Sequence, residues 1–374
     1  MSTILVVSNG FGEDGIAVNL CKAFQKQVPE TVFLPLPMVG QGKAYQQATL
    51  APVLTNPTLP SGGFIRTFFD LKQDLKAGLI RMHWRQFQTA KSLRRQADFC
   101  LCVGDVFCLV MGILSGCRTL YFLPTAKSDK FMKHSAIEIW LMKRYAKAVF
   151  PRDAETTASL RQAGVPAFFW SNPMFDHLTP TGKNLGLSKA IPVVGILPGS
   201  RQEAYQNLAF CLELATQKPD WQWVVALSPH LDLKTIAQEA NRQGWTSVAS
   251  QSDCSLILTH ASHSTVRFSP DFTDVLDQTQ VLIGLSGTAN EQAVACGKTV
   301  VAFEGFGPQS SALRFQEQQL LLGQDQLWVV NRDPEAIIEA LCTALAQTTI
   351  APKPKRESGS DAIVDSILKA EGSR

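Results

Sequence analysis

Short runs of β-branched, aromatic and aliphatic residues alternate along this chain with stretches whose apolar positions recur every three or four residues. Ile4 to Val7 opens the series. Thr31 to Leu36 follows, then "FCLCVG" near 99, "TLYFLP" near 119, "AVFP" near 148, "PVVGILPG" near 192, "WVVALS" near 223, "SLILTH" near 255, "QVLIGLSG" near 280 and "TVVAFEG" near 299. Apolar runs of this length bounded by glycine, proline and polar residues predict buried strands, and Ile16, Leu20, Ala23 and Phe24 predict a helix after the first. Strands alternating with helices predict βαβ units and parallel sheets, hence an α/β fold. A chain of 374 residues exceeds the usual size of a single core, so two domains are expected. The polar, glycine-bearing stretch "TPTGKNLGLSKAIP", 179 to 192, separates a domain over 1–180 from one over 190–350. A second loose segment, "TTIAPKPKRESGSD", leads through the tail at 351–374 to "AIVDSILKA", an amphipathic helix free to pack elsewhere than on the sheet beside it.

Composition narrows the class. With 45% hydrophobic and 18% charged residues, and Lys or Arg interrupting every apolar run, no segment spans a bilayer. The first strand begins without a charged, apolar-cored leader, and nine cysteines are scattered without metal-ligand spacing, so a cytoplasmic, reducing setting is expected. The net charge of +3 conceals an asymmetry: 20 Lys and Arg against 12 Asp and Glu in residues 1–180, and 15 against 20 in the remainder. Nucleic acid is not an expected partner, because the basic residues accompany no recognisable binding module and the second half is acidic.

Gly10, Gly12 and Gly15 in "ILVVSNGFGEDG" spell the G-x-G-x-x-G of dinucleotide-binding loops. The rest of that fingerprint is missing. The second strand ends in "FLPLP" with no carboxylate for a ribose, and Glu13 and Asp14 would repel a pyrophosphate at the helix amides. What remains is a glycine-rich loop carrying two carboxylates at the carboxyl end of a strand. Two further loops stand out in the second half. "ILPGSR" ends in Gly199, Ser200 and Arg201, which offer amides, a hydroxyl and a forked cation to a diphosphate. In "GLSGTANEQA", Ser286, Gly287 and Thr288 open a helix whose amides suit an anion, with Glu291 one turn on for ribose hydroxyls. The same residue types also cap ordinary strand-to-helix turns.

"LPGSR" followed by "SGTANEQAVACGKTVVAF" resembles the nucleotide-sugar half of lipid-A-disaccharide synthase. "VVSNGFGEDG", "CLCVGD" and "WSNPMFD" match its other motifs in the same order. More narrowly, the chain resembles the lipid-A-disaccharide synthase-related proteins of cyanobacterial type. The resemblance implies two Rossmann-like domains facing across a cleft, the GT-B architecture, and an inverting glycosyltransferase. It implies a UDP-sugar donor on the second domain, a lipid or lipid-linked acceptor on the first, and no metal or cofactor. Arg201 and residues 286 to 288 would hold the diphosphate, Glu291 the ribose and Gln309, in "FGPQ", the sugar. Asp105 stands where the family has its proposed catalytic aspartate, its other reading being a helix N-cap. Asp14 is the second candidate base, and Glu13 would orient it. Where the synthase has an aromatic acceptor segment, this chain reads "TAKSDKFMKHSAIEIW", so Lys127 and Lys130 suit a phosphate or sulfate head group, or form a solvated basic face. Two other readings share the fold: a nucleotide-sugar epimerase or hydrolase, and a non-catalytic sugar-nucleotide-binding protein at the membrane.

Residues 64 to 95 place Phe64, Phe68, Leu71, Leu75, Leu79 and Met82 at i, i+4, i+7 spacing among eight Arg and Lys and only two Asp. Such a segment lies on an anionic membrane or packs its stripe onto a sheet. Phe69, Ile80 and Trp84 add apolar surface beyond the stripe.

Overall fold

Strands β1 (Thr3–Ser8), β2 (Val32–Pro37), β3 (Phe99–Gly104), β4 (Leu120–Pro124) and β5 (Ala146–Val149) pair in the order β2-β1-β3-β4-β5, every pair parallel. They come from a computed structural model that describes residues 2–57, 68–93, 96–176, 178–249, 252–307, 310–347 and 358–372. Successive side chains of a strand point to opposite faces, and helices cover both faces of this sheet. Ile4 and Val6 face the helices Phe11–Gln27 and Gly359–Gly372, while Leu5 and Val7 share a core with residues of Leu79–Ser92, Val106–Ser115 and Ala136–Tyr145. That double burial explains why these strands are apolar throughout rather than alternating.

A second sheet contains β6 (Val193–Leu197), β7 (Gln222–Ala226), β8 (Thr246–Val248), β9 (Leu256–Thr259), β10 (Thr265–Ser269), β11 (Val281–Gly284), β12 (Thr299–Phe303) and β13 (Leu327–Val330), in the order β13-β12-β11-β6-β7-β10-β9-β8. It is parallel from β13 to β10, but β10-β9 and β9-β8 are antiparallel, a departure from the all-parallel expectation. Sequence pattern missed β8, whose three positions are all exposed, β10, where Arg267 interrupts the apolar run although Val266 and Phe268 are buried, and β13, a four-residue run buried only at Leu327.

The chain divides into two compact units, one holding the described residues to Asp176 plus the C-terminal helix, the other holding those from 178 to 347. The stretch 179–192 lacks regular structure through most of its length, yet it is held in place. The buried Asp274 carboxylate accepts from the backbone amides of Thr181, Gly182 and Lys183 and from the Thr181 hydroxyl. These bonds hold that carboxyl below the usual range against the upward push of burial. The C-terminal helix begins where the Gly359 and Ser360 amides each donate to Asp176 at 2.7 Å, and it packs on the helix Phe11–Gln27.

Candidate functional site

In the first sheet the strand order reverses between β1 and β3, the position at which open α/β sheets collect their functional loops. Gly104 ends β3 at φ +141, and a Cβ there would stand 1.8 Å from Asn9 Oδ1, so only glycine permits the close approach. Asn9 Oδ1 accepts from the Asp105 amide at 3.2 Å. The Asp105 carboxylate accepts from the Phe107 amide at 2.8 Å and caps the helix Val106–Ser115. Asp105 remains half-exposed, and burial raises its pKa. Glu13 lies close by. Its Oε1 accepts from Thr125 Oγ1 at 3.2 Å, and the Thr125 carbonyl accepts from Arg152 Nη1 at 2.9 Å. Desolvation raises the Glu13 pKa, the nearby Asp105 charge adds to that, and Arg152 opposes it.

The other predicted residues of this unit are placed differently. Asp14 is 1% exposed and its Oδ1 accepts from Ser8 Oγ at 2.6 Å, while Ser8 Oγ lies 2.7 Å from the buried Tyr45 hydroxyl. Burial pushes this carboxyl up to about 7. Lys127 is paired with Glu138 at 2.8 Å, and Lys130 is exposed on the following turn. His134 Nδ1 lies 3.6 Å from Glu138 Oε2, too long for a hydrogen bond.

In the second sheet the order reverses between β6 and β11, and the loops that follow them touch. The Leu285 amide donates to the Leu197 carbonyl at 2.9 Å, and Gly199, at φ +101, lies against the Leu285 carbonyl. The loops that bear Arg201 and Ser286–Thr288 thereby start side by side, at Gly199 and Leu285. The helix Thr288–Ala295 starts at Gly287 with no side-chain cap, leaving its first amides toward the loop. Glu291 is 5% exposed. Gln309 lies outside the described residues.

Buried amides that sequence reading missed fix these loops. Asn207 donates to the carbonyls of Pro198 and Phe306 and accepts from the Phe306 amide at 2.7 Å, joining the loop after β6 to the one after β12. Asn290 donates to the Gly284 carbonyl and to Gln318, which donates to the Gly287 carbonyl at 2.8 Å. Asn207 and Gln318 sit inside helices with no local signal. Arg152 stood in "FPRD" at a strand end and could have been found. Among the described residues, no group of three or more His, Cys, Asp or Glu is arranged to hold a metal ion.

No family model and no curated protein matches the chain. Solved structures do. The calicheamicin glycosyltransferase CalG4 is 13% identical with a TM-score of 0.61, over 100% of this chain and 98% of that one. MurG from Acinetobacter baumannii is 13% identical with a TM-score of 0.57, over 99% and 100%. A UDP-GlcNAc 2-epimerase from Neisseria meningitidis, bound to UDP-GlcNAc, is 12% identical with a TM-score of 0.55, over 100% of each. At such identity the likeness concerns the fold, which is two Rossmann-like domains of the GT-B architecture.

Proposed function

We propose that this chain is an inverting glycosyltransferase, related to lipid-A-disaccharide synthase, that moves a sugar from a UDP-sugar to a lipid or lipid-linked acceptor. The observation that carries the donor half is the contact of Leu197 and Gly199 with Leu285, which starts the loops bearing Arg201 and Ser286–Thr288 side by side at the switch point of the second sheet. Arg201 would supply a forked cation and the uncapped helix its amides, together stabilising the diphosphate as it leaves. In the first unit Asp105 deprotonates the acceptor hydroxyl, and Glu13, held by Thr125, orients it. Asp14 is left out of the reaction because its carboxyl is enclosed with Ser8 and Tyr45.

The fold admits a second reading, since a 2-epimerase that binds UDP-GlcNAc shares it. Thermal shift with UDP, UDP-GlcNAc, UDP-glucose and NAD tests the donor site first. A uridine-dependent rise that Arg201→Ala abolishes is expected, and a response to NAD alone would overturn the reading. Asp105→Asn then isolates the charge, because asparagine caps a helix as well as aspartate does. It should keep UDP binding while lowering transfer about 10²- to 10⁴-fold. Turnover of UDP-sugar without any acceptor identifies an epimerase or hydrolase instead.

A further inference from the structure

Nine cysteines are scattered along the sequence, but the fold gathers three of them, all free thiols, in the first unit. Cys100 and Cys102 alternate with Leu101 on β3, so both side chains point to the face covered by the helix Val106–Ser115. Their sulfurs lie 3.6 Å apart. Gly112 of that helix sits over them: a Cβ there would stand 2.6 Å from Cys102 Sγ and 3.4 Å from Cys100 Sγ, so only glycine lets the helix approach this closely. Cys117 follows the end of the same helix, past its left-handed cap Gly116, and shares a hydrogen bond with Cys100. Cys100 is fully buried and Cys117 is half-buried, so the pair has one sulfur inside the core and one that solvent reaches.

These surroundings divide the protons of the pair. Burial pushes the Cys100 thiol well up, so it keeps its hydrogen and donates it. That bond brings the Cys117 thiol down to about 7, against the opposing push of burial and with help from Ser115. Structural cysteines are buried and inert, whereas a reactive one combines thiolate character, access and a neighbouring thiol. Cys117 has all three.

We propose that Cys117 is a redox-modification site, oxidised by a hydroperoxide and resolved by Cys100 to a reversible disulfide. The Cys117 thiolate attacks one peroxide oxygen, the O–O bond breaks, and the other oxygen takes a proton from solvent and leaves as water or an alcohol. Sulfur is thereby oxidised by two electrons to a sulfenic acid, and the peroxide is reduced by the same two. The Cys100 sulfur then attacks the Cys117 sulfur, the S–O bond breaks, and the departing hydroxide takes the Cys100 proton to become water. A dithiol restores both cysteines by exchange, so where thiol reductants prevail the crosslink is transient. The crosslink joins the start of β3 to the end of the helix that Asp105 caps, bracing the βα unit that carries this carboxylate.

The test is treatment of the folded, full-length chain with hydrogen peroxide, followed by peptide mass spectrometry of every cysteine. A Cys100–Cys117 crosslinked peptide that dithiothreitol removes is expected. Two replacements separate the roles of Cys100: Cys100→Ser keeps a donor but has no sulfur, and Cys100→Ala has neither. In Cys100→Ser, oxidation of Cys117 should stop at the sulfenic acid, which dimedone traps, and alkylation of the untreated thiol by iodoacetamide should keep a midpoint near 7. In Cys100→Ala that midpoint should move up toward about 8.5, the value of an ordinary thiol. Protection of the fully buried Cys21 from iodoacetamide reports that each variant is folded. Peroxide that modifies Cys117 no faster than the exposed Cys342, or carries it to sulfinic acid without a crosslink, overturns the proposal. So does a crosslink between any other pair, Cys100 with Cys102 included, or an unmoved midpoint in folded Cys100→Ala.

Discussion

Asp105 directly follows β3 and Asp14 lies in the first turn of the helix after the neighbouring β1, yet their surroundings give them different work. Asp14 is sealed beneath the loop by Ser8 and Tyr45, and its carboxyl is raised from 3.8 to about 7. Between those values the folded protein holds a proton that the unfolded chain has released, so stability falls as pH rises through the window and levels above it. A shift of this size corresponds to about 4 kcal/mol once the window has been crossed. Asp274, whose pKa is lowered, acts in the other direction and outside this range, its stabilisation disappearing only as pH falls below the ordinary aspartate value. Asp14→Asn should therefore flatten urea-unfolding stability between pH 4 and 7 by about 1.4 kcal/mol per pH unit. An unchanged slope would show that Asp14 ionises normally in the fold. Both acids were legible in the sequence as carboxylates at strand ends. The depth of Asp14 was not, because it depends on Tyr45 from a distant helix.

At the scale of elements, the buried strands were legible where helices cover both faces, since continuous burial writes a continuous apolar run. It failed for β8 and β10, toward the antiparallel edge, where exposure or a single arginine breaks the run, and for β13, the short, half-buried strand at the opposite edge. The glycine- and serine-bearing loops were equally visible, but what holds them was not: Asn207 looks like any polar residue of an amphipathic helix. In the fold it joins the loops after β6 and β12 through three hydrogen bonds. Asn207→Ala strands two carbonyls and an amide, and each buried group left unpaired costs about 1–3 kcal/mol. The expected result is a variant at least about 2 kcal/mol less stable in urea, with calorimetric affinity for UDP reduced as the Pro198–Arg201 loop loosens. Lost stability with unaltered UDP affinity would mean that Asn207 supports the fold but not the donor loop.

At the scale of the whole molecule, the chain leaves the first unit at Asp176 and returns to it at Gly359, and the return is a structural part of that unit. Ile363, Val364 and Ile367 are fully enclosed beside Ile4, Leu20 and Phe24. Tyr121 and Lys147 bond Glu371 at 2.6 and 2.9 Å, and Asp176 holds the first amides of the helix. Three buried aliphatic side chains contribute about 2 kcal/mol each. A domain is commonly stable by about 5–15 kcal/mol, so this helix accounts for much of what the first unit has. Ending the chain at residue 357 should lower the melting of the first unit and expose apolar surface to a hydrophobic dye. The second unit, whose core contains nothing from the tail, should melt where it did before, and UDP should still raise that transition. Asp176→Ala offers the milder version, removing the cap at about 1 kcal/mol without deleting any apolar contact. If both variants shift the UDP-responsive transition and spare the other, the donor site lies in the first unit, and the division of labour proposed for the two halves is reversed.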